Sequence, residues 1–451
     1  MSHRTSFFQR LTLVNDLEDC LKLSKFEADQ FVWSLMKELE KLPRSLLGDV
    51  NIEFKKFIQK HLNVSILSFP SGMQVFDWQI PRAWRVLHLE VISPNGLPLL
   101  EKFDQSMHVV QYSGSFSGKL SRSNFIKKVN SVEELPNAIP YKTSYYENDW
   151  GLNLPHSLVE SLPEGDYEIN LQVEFYDSEL QIFEILLPGR SKREVIFHTY
   201  FCHPYMANDN NSGVALTVAL AKLVEGTLGN HEWTYRFVFV PETIGAIAYI
   251  RENLENFKSN VDKIFVLSCL GDNGPFSIVE SPYSNAAGRT ANYLWQSVDR
   301  PQQIYSWRDR GSDERQYAAP GVELPVCTLS RSKFGTFVSY HTFDDNLNFV
   351  TREGLQSSFR ALNDIVQFCE LDGVYVSATL CEPMLSKRQL YPRQSVRFNH
   401  DPHLKNLTTF VSLCNGSRSL IDALVLANVP AAEALDLVVT ALQNQLITRK
   451  S

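Results

Sequence analysis

Paired cysteines are missing from this 451-residue chain. The seven that occur (Cys20, Cys202, Cys269, Cys327, Cys369, Cys381 and Cys414) are scattered and odd in number, and none forms a CxxC pair. That argues against a disulfide framework and a cysteine-rich zinc site, and it suits a reducing compartment. Long apolar runs are missing too: none approaches the ~20 residues of a membrane span. The opening stretch, MSHRTSFFQRLTLVNDLEDCL, soon meets acidic residues and has no signal-peptide core. Positive charge is not in surplus, because the net charge is −8. No global field therefore favours nucleic acid or an anionic membrane. The expected setting is the cytoplasm, with neither nucleic acid nor membrane as partner. Internal repeats and long low-complexity tracts are also absent.

What is present is ordinary globular material, 44% hydrophobic and 21% charged. At roughly 150 residues per domain the length suggests about three domains. Residues 16–62 read as helical, with Phe31, Leu35 and Leu39 at helical spacing and Pro43 as punctuation. From 68 to 170, prolines interrupt short β-rich runs such as WRVLHLEVI and HVVQYS, and SPNG at 93–96 reads as a tight turn. From about 180 to 370, strands and helices alternate. REVIFHTYF, YRFVFV and KIFVLSCL are strands and SGVALTVALAKLV is a helix, the pattern of a mostly parallel sheet covered by helices. Sites in such sheets form at the carboxyl ends of strands. His203, Glu242 and Asp272 follow the three strands in turn. The tail from about 405 reads helix, turn, helix. Val425, Leu435, Val438, Val439, Leu442 and Leu446 supply its apolar face, and it has few basic residues. Packing on the larger domain or self-association is expected of it rather than DNA reading.

Three segments carry candidate chemistry. In HTYFCHPYMANDNNSG (198–213) a strand ends at His203 and Asp209 lies in a polar loop before a helix. Imidazole and carboxylate together suit zinc, although Asp209 could equally cap a turn. In FVFVPETIGAIAYI (237–250) Glu242 stands at the sheet rim, where it could activate water or cap the next helix. In SYHTFDDNLNFV (339–350) His341 precedes Asp345, which could orient a metal-bound imidazole or cap the following segment. Cys202 beside His203 is a poor thiol dyad, since neighbouring strand residues point to opposite faces.

The order His, Asp-x-x-Ser-Gly, Glu before a Gly-containing helix, then Tyr-His-Thr resembles the co-catalytic zinc aminopeptidases. The longer runs SGMQVFDWQIPRAW, HVVQYS, LPNAIPYKTSYYENDWG, CHPYMAND, PETIGAIAY, GSDERQY, YHTFDDNL and CEPMLSKRQLYP are more closely similar to an aminopeptidase-like family of bacterial polysaccharide-biosynthesis loci. The resemblance covers nearly the whole chain past residue 68. It implies an α/β fold with a mixed, mostly parallel sheet of zinc aminopeptidase type, an inserted β-rich domain and a small C-terminal winged helix. The divisions expected are 1–67 (N-terminal helical part), 68–170 (inserted domain), 171–380 (catalytic domain) and 381–451 (winged helix).

Carried over residue by residue, the resemblance makes Asp209 the metal-bridging carboxylate, Glu242 the general base and His341 the late histidine. His203 becomes the early histidine, with His198 as runner-up. Two ligands of a dinuclear site are replaced: Thr243 stands where a glutamate follows the base, and Ser268 and Cys269 stand where an aspartate ends the third strand. Asp272 lies nearby as an alternative ligand. One zinc ion held by His203, Asp209 and His341 is therefore expected. Hydrolysis of a peptide or an amide-containing small molecule is the expected reaction, with Asp313, Glu314 and Arg315 contacting substrate. The alternative is a catalytically degenerate scaffold that binds a ligand or supports assembly. A homo-oligomer is also allowed.

Overall fold

The computed structural model describes residues 25–100, 105–145, 149–226, 231–296, 302–390 and 402–450. Cys20 and the part of the expected helical stretch before residue 25 lie outside them. Helices α1 (Lys25–Leu39) and α2 (Ile52–His61) lead into strand β1 (Ser65–Pro70). Val32, Leu35, Met36 and Leu39 are buried along one face of α1, at the three-and-four spacing of an amphipathic helix. Strands β2 (Ala83–Ile92), β3 (Phe116–Ser121) and β4 (Asp166–Tyr176) then form a separate antiparallel sheet in the order β2-β4-β3. The SPNG segment turns as expected: Gly96 takes φ 75° and the Ser93 amide donates to the Leu97 carbonyl at 2.9 Å. A positive φ is the conformation glycine adopts without steric cost.

The chain next builds β5 (Glu179–Leu187), β6 (Glu194–Tyr200), helix α3 (Gly213–Glu225), β7 (Thr234–Val240), α4 (Ile244–Asn260) and β8 (Val261–Leu267). It continues through β9 (Ser277–Val279), α5 (Ala286–Trp295), β10 (Gln303–Tyr305), β11 (Val326–Ser330) and the 20-residue α6 (Arg352–Leu371). The large sheet has the order β1-β5-β7-β6-β8-β11-β9-β10. Its centre, β7-β6-β8-β11, is parallel, and β1, β5 and β9 run antiparallel to neighbours. Both faces of the centre are covered, so the central strands are mostly apolar rather than alternating. Phe197 pairs in register with Phe237 on one side and Phe265 on the other, each ring 5.4 Å away, and all three enter the core shared by α1, α3 and α6. Their neighbours Ile196, Val238 and Ile264 point into the opposite core, with α4.

Two strands straddle the divisions expected from sequence. β1 crosses 67/68 and pairs with β5 in the large sheet, from Ser65↔Glu184 to Pro70↔Glu179. β4 crosses 170/171 yet belongs whole to the small sheet.

The C-terminal segment comprises β12 (Val374–Ser377), α7 (Pro402–Leu413), β13 (Asn415–Ser419), α8 (Leu420–Leu426), α9 (Ala431–Gln443) and β14 (Ile447–Arg449). Its three strands pair as β13-β12-β14. Leu424 and Leu437 join the same core as Trp295 and Phe368. The Tyr293 hydroxyl donates to the Val429 carbonyl at 2.8 Å, and Arg289 pairs with Asp422. The segment is thus packed on α5 and α6. Val425, expected on the packed face, instead points to solvent. Among the described residues no single helix is long and apolar enough to cross a membrane.

Candidate metal centre

The loop between β6 and α3 is held by side chains that bond to backbone. Asn210 donates through Nδ2 to Thr199 Oγ1 (2.9 Å), the Tyr200 carbonyl (3.2 Å) and the Leu267 carbonyl (3.0 Å), and its Oδ1 accepts from the Cys269 amide at 3.2 Å. Asn208 Oδ1 accepts from the Gly271 amide at 2.8 Å, and Ser212 Oγ donates to the Asn208 carbonyl at 2.7 Å. Asp345 accepts from the amides of Asn208 (2.7 Å) and Asp209 (2.8 Å). The backbone amides of Asn208 and Asp209 in this irregular segment thereby find a partner. Gly213 closes the loop because a Cβ there would lie 2.5 Å from Asn210 Oδ1 and 2.7 Å from the Leu267 carbonyl. The run NDNNSG is a scaffold whose product is the position of Asp209.

Around Asp209, three side chains converge. His203, Asp209 and His341 each offer one ligand atom, and these atoms lie within 4.8 Å of one another. Asp209 Oδ1 is 3.4 Å from His203 Nδ1, and Oδ2 is 3.2 Å from His341 Nε2. Yet His203 Nδ1, Asp209 Oδ2 and His341 Nε2 are buried without a hydrogen-bond partner. Close approach of acceptor-capable atoms that do not bond to one another is what a cation between them explains. The donor set of two imidazoles and a carboxylate suits zinc. Burial alone would raise the Asp209 carboxyl, but the two histidines override it and hold it far below the usual carboxylate range. The other oxygen, Oδ1, also accepts from the Tyr200 hydroxyl at 2.5 Å, and that hydroxyl lies 2.8 Å from Ser268 Oγ. A phenol and a serine hydroxyl therefore occupy the Oδ1 side of Asp209.

Glu242 follows β7, with Oε2 3.5 Å from His203 Nε2. Burial raises its carboxyl well above the usual range, and the neighbouring charges of Asp313 and Asp209 push the same way. Its backbone is set by the run GSDERQY. Asp313 Oδ1 accepts from the Thr243 amide at 2.7 Å, and Arg315 Nη2 donates to Thr243 Oγ1 at 2.7 Å. Thr243 sits at φ 65°.

Comparison with known proteins bears on this geometry. The profile described as a domain of unknown function (DUF4910) matches residues 33–372. The chain belongs to that family. A winged helix-turn-helix profile matches residues 373–449. A Clostridium acetobutylicum protein, provisionally named a polysaccharide biosynthesis protein with an aminopeptidase-like domain, is 30% identical over 87% of this chain and 90% of its own length. The crystal structure of a provisionally assigned peptidase from Clostridium acetobutylicum superposes with a TM-score of 0.85 at 26% identity, covering 97% of this chain and 100% of that one. The zinc aminopeptidase BSAP of Bacillus subtilis shares the fold at TM-score 0.57 and 13% identity, over 76% of this chain and 95% of its own. This member of the DUF4910 family thus has a peptidase-like scaffold, a mixed α/β fold of zinc aminopeptidase type followed by a winged helix.

Several residues singled out from sequence stand elsewhere than expected. Asp272 lies outside the group of three: its oxygens accept from Ser332 Oγ (2.7 Å), the Ser332 amide (3.2 Å) and Asn208 Nδ2 (2.9 Å). Asp345 holds the Asp209 loop rather than an imidazole. His198 is fully buried between Asp313 (2.8 Å) and the Tyr317 hydroxyl (3.0 Å), away from the metal ligands. Asp313 is also fully buried and Glu314 nearly so, at 0% and 1% exposure, which closes both to a substrate. Glu314 accepts instead from the Gly311 amide at 2.8 Å and from Thr328 Oγ1 at 2.7 Å. Both acids thus shape the support under Glu242. Of that trio only Arg315 is partly exposed.

Sequence reasoning missed Tyr141 altogether. Its ring packs edge-on against His203 (5.3 Å) and His341 (5.5 Å). Its amide donates to the His341 carbonyl at 2.8 Å, and Pro140 bridges Thr342. The stretch LPNAIPYKTSYYENDWG was legible as a family signature, but nothing in its composition tied it to the histidines.

Proposed function

We propose that this chain is a metal-dependent hydrolase of amide or peptide bonds, with one zinc ion held by His203, Asp209 and His341. The observation that carries the reading is the set of unpartnered buried ligand atoms on these three residues. When bound, zinc supplies a Lewis acid that lowers the pKa of a water and polarises a carbonyl. Glu242 supplies the proton traffic: its carboxylate takes a proton from the attacking water and returns it to the leaving amine. Asp313 and Arg315 act on Glu242 indirectly, through the Thr243 amide and hydroxyl. His341 is the open edge of the centre, with 36% of its side chain exposed, and substrate approaches there.

A second reading, a degenerate scaffold that binds a ligand without turning it over, draws on Thr243 and Ser268 standing where carboxylates are expected. The two separate by experiment. Protein purified without chelator is assayed for metal by elemental analysis and for hydrolysis of aminoacyl amides, alongside Glu242→Gln. About one zinc per chain is expected, with Glu242→Gln keeping the metal and losing about 10²–10⁴-fold in rate. A folded Glu242→Gln protein that has lost its metal makes Glu242 a ligand and overturns its role as base. Wild-type protein without stoichiometric metal overturns the hydrolase reading in favour of the degenerate scaffold. The cytoplasmic setting, the lack of nucleic-acid and membrane partners and self-association remain part of the same proposal, resting on charge and composition.

A further inference from the structure

Beside Tyr141, a cavity of about 160 Å³ lies where three parts of the chain meet. Arg44, between α1 and α2, lines it together with Trp84 of the small sheet and Tyr205 of the loop after His203. Arg44 is only 2% exposed. Its Nη2 donates to the His203 carbonyl at 2.7 Å, while Nε and Nη1 are buried without a partner. Among the described residues no carboxylate lies within ion-pair distance of it. The other cation of the lining, Arg85, is already answered by Glu174 at 2.6 Å and Asp49 at 3.4 Å. Burial lowers the Arg44 guanidinium to about 10, which still leaves it charged at neutral pH. A buried, unpaired cation is costly.

Two further polar atoms of the lining are buried and unpartnered: Ser45 Oγ and Asn153 Oδ1. Ser45 is held in place by Asn51, which accepts from its amide at 3.0 Å and donates to its carbonyl at 2.9 Å. The cavity therefore presents one fixed cation, one hydroxyl donor and one amide acceptor between largely aromatic and aliphatic walls. Arg85 and Ser106 are exposed at its rim, and none of the three metal-ligand residues lines it.

We propose that this cavity binds a small carboxylic acid, with the carboxylate on Arg44 and Ser45 and a hydroxyl or amide hydrogen of the same ligand on Asn153. A single cation balances a monoanion, whereas a phosphate dianion would bury uncompensated charge. A cavity near 150 Å³ accommodates a benzene-sized body, so the body that carries the ligand's polar groups has about six non-hydrogen atoms. Because Arg44 grips the His203 carbonyl and Tyr141 touches both histidine rings, occupancy stiffens the wall behind the metal ligands.

The test uses the full chain and reads binding, so its outcome is separate from that of the hydrolase reading. Acetate, benzoate and 4-hydroxybenzoate are titrated by calorimetry, with benzamide and inorganic phosphate as comparators. Saturable binding of carboxylate at one per chain is expected, tightest for 4-hydroxybenzoate, absent for benzamide, and weakened at least tenfold in Arg44→Met. If Arg44→Met fails to fold, Met107→Trp, which fills the cavity without removing the cation, is expected to abolish binding. No saturable binding of any of the three carboxylates overturns the proposal, as does equal binding by the variant or tighter binding of phosphate.

Discussion

Replacing Gly213 with alanine tests whether the loop scaffold, rather than the ligands alone, makes the metal centre. Gly213 opens α3 at φ −60°, a backbone any residue adopts, so helix propensity by itself favours alanine by about 1 kcal/mol. Against that gain stands the space available. The added methyl would meet Asn210 Oδ1 at 2.5 Å, the Leu267 carbonyl at 2.7 Å and Asn210 Nδ2 at 2.8 Å. Leu267 is backbone in the middle of the sheet, and Asn210 is fixed by its bonds to Thr199, Tyr200, Leu267 and Cys269. Neither can step aside cheaply. Overpacking costs about 1–3 kcal/mol, and breaking one buried bond of Asn210 adds about 1–3 kcal/mol. Set against the propensity gain, the net expectation is a loss of about 1–5 kcal/mol. Asn210 is the residue after Asp209, so the displacement also moves the ligand, and loss of such support typically weakens metal binding 10–100-fold. Denaturant unfolding gives the first quantity, and competition with a chelating dye gives the second. A Gly213→Ala protein as stable as the wild type, or more so, with unchanged metal affinity would show that the loop yields freely and would refute the argument.

Two further substitutions probe the surroundings of Asp209. Tyr200→Phe removes the hydroxyl on Asp209 Oδ1 but restores no carboxylate, so metal analysis is expected to stay at about one equivalent per chain; two equivalents would mean that the phenol alone excludes a second ion. Tyr141→Ala strips a buried ring from both histidines and is expected to cost about 3–5 kcal/mol by denaturant unfolding, whereas Tyr141→Phe loses only the 3.1 Å bond to Gln111 and is expected to cost about 1 kcal/mol. Equal losses for the two variants would place the importance of Tyr141 in its hydroxyl instead.

The large sheet was legible because burial on both faces writes itself into sequence as β-branched and aromatic runs with few polar residues, and EVIFHTY, TYRFVFV and VDKIFVL are all strands. Division points were less legible. β1 is largely exposed, as an edge strand is, so its pattern matches the half-exposed strands of the inserted segment, and only its pairing with β5 assigns it to the large sheet. Val425 shows the same limit in a helix: its spacing fits the apolar face, but α8 has only seven residues, too few for periodicity to fix which side is covered.

The site divides along similar lines. His203 and Glu242 could be singled out because they follow strands of the large sheet, whereas Asp209 and His341 lie in loops and were marked by residue type and by the family resemblance. Their supports carry no such mark. Asp313 lies 70 residues from the Thr243 amide it accepts from, and Asp345 lies 136 residues from the Asp209 amide. An acidic residue beside a histidine, as in YHTFDD, reads as a metal neighbour when only sequence separation is known. In the fold its carboxylate faces backbone amides, since an irregular loop wrapped around a buried carboxylate leaves N–H groups that must be paired. The acids of GSDERQY are drawn inward for the same reason, one to the amide of Thr243 and the other to those of Gly311 and Ser312. Arg44 is the converse case. A lone arginine after a proline carries no sequence signal, and its meaning depends on which carboxylates fail to reach it.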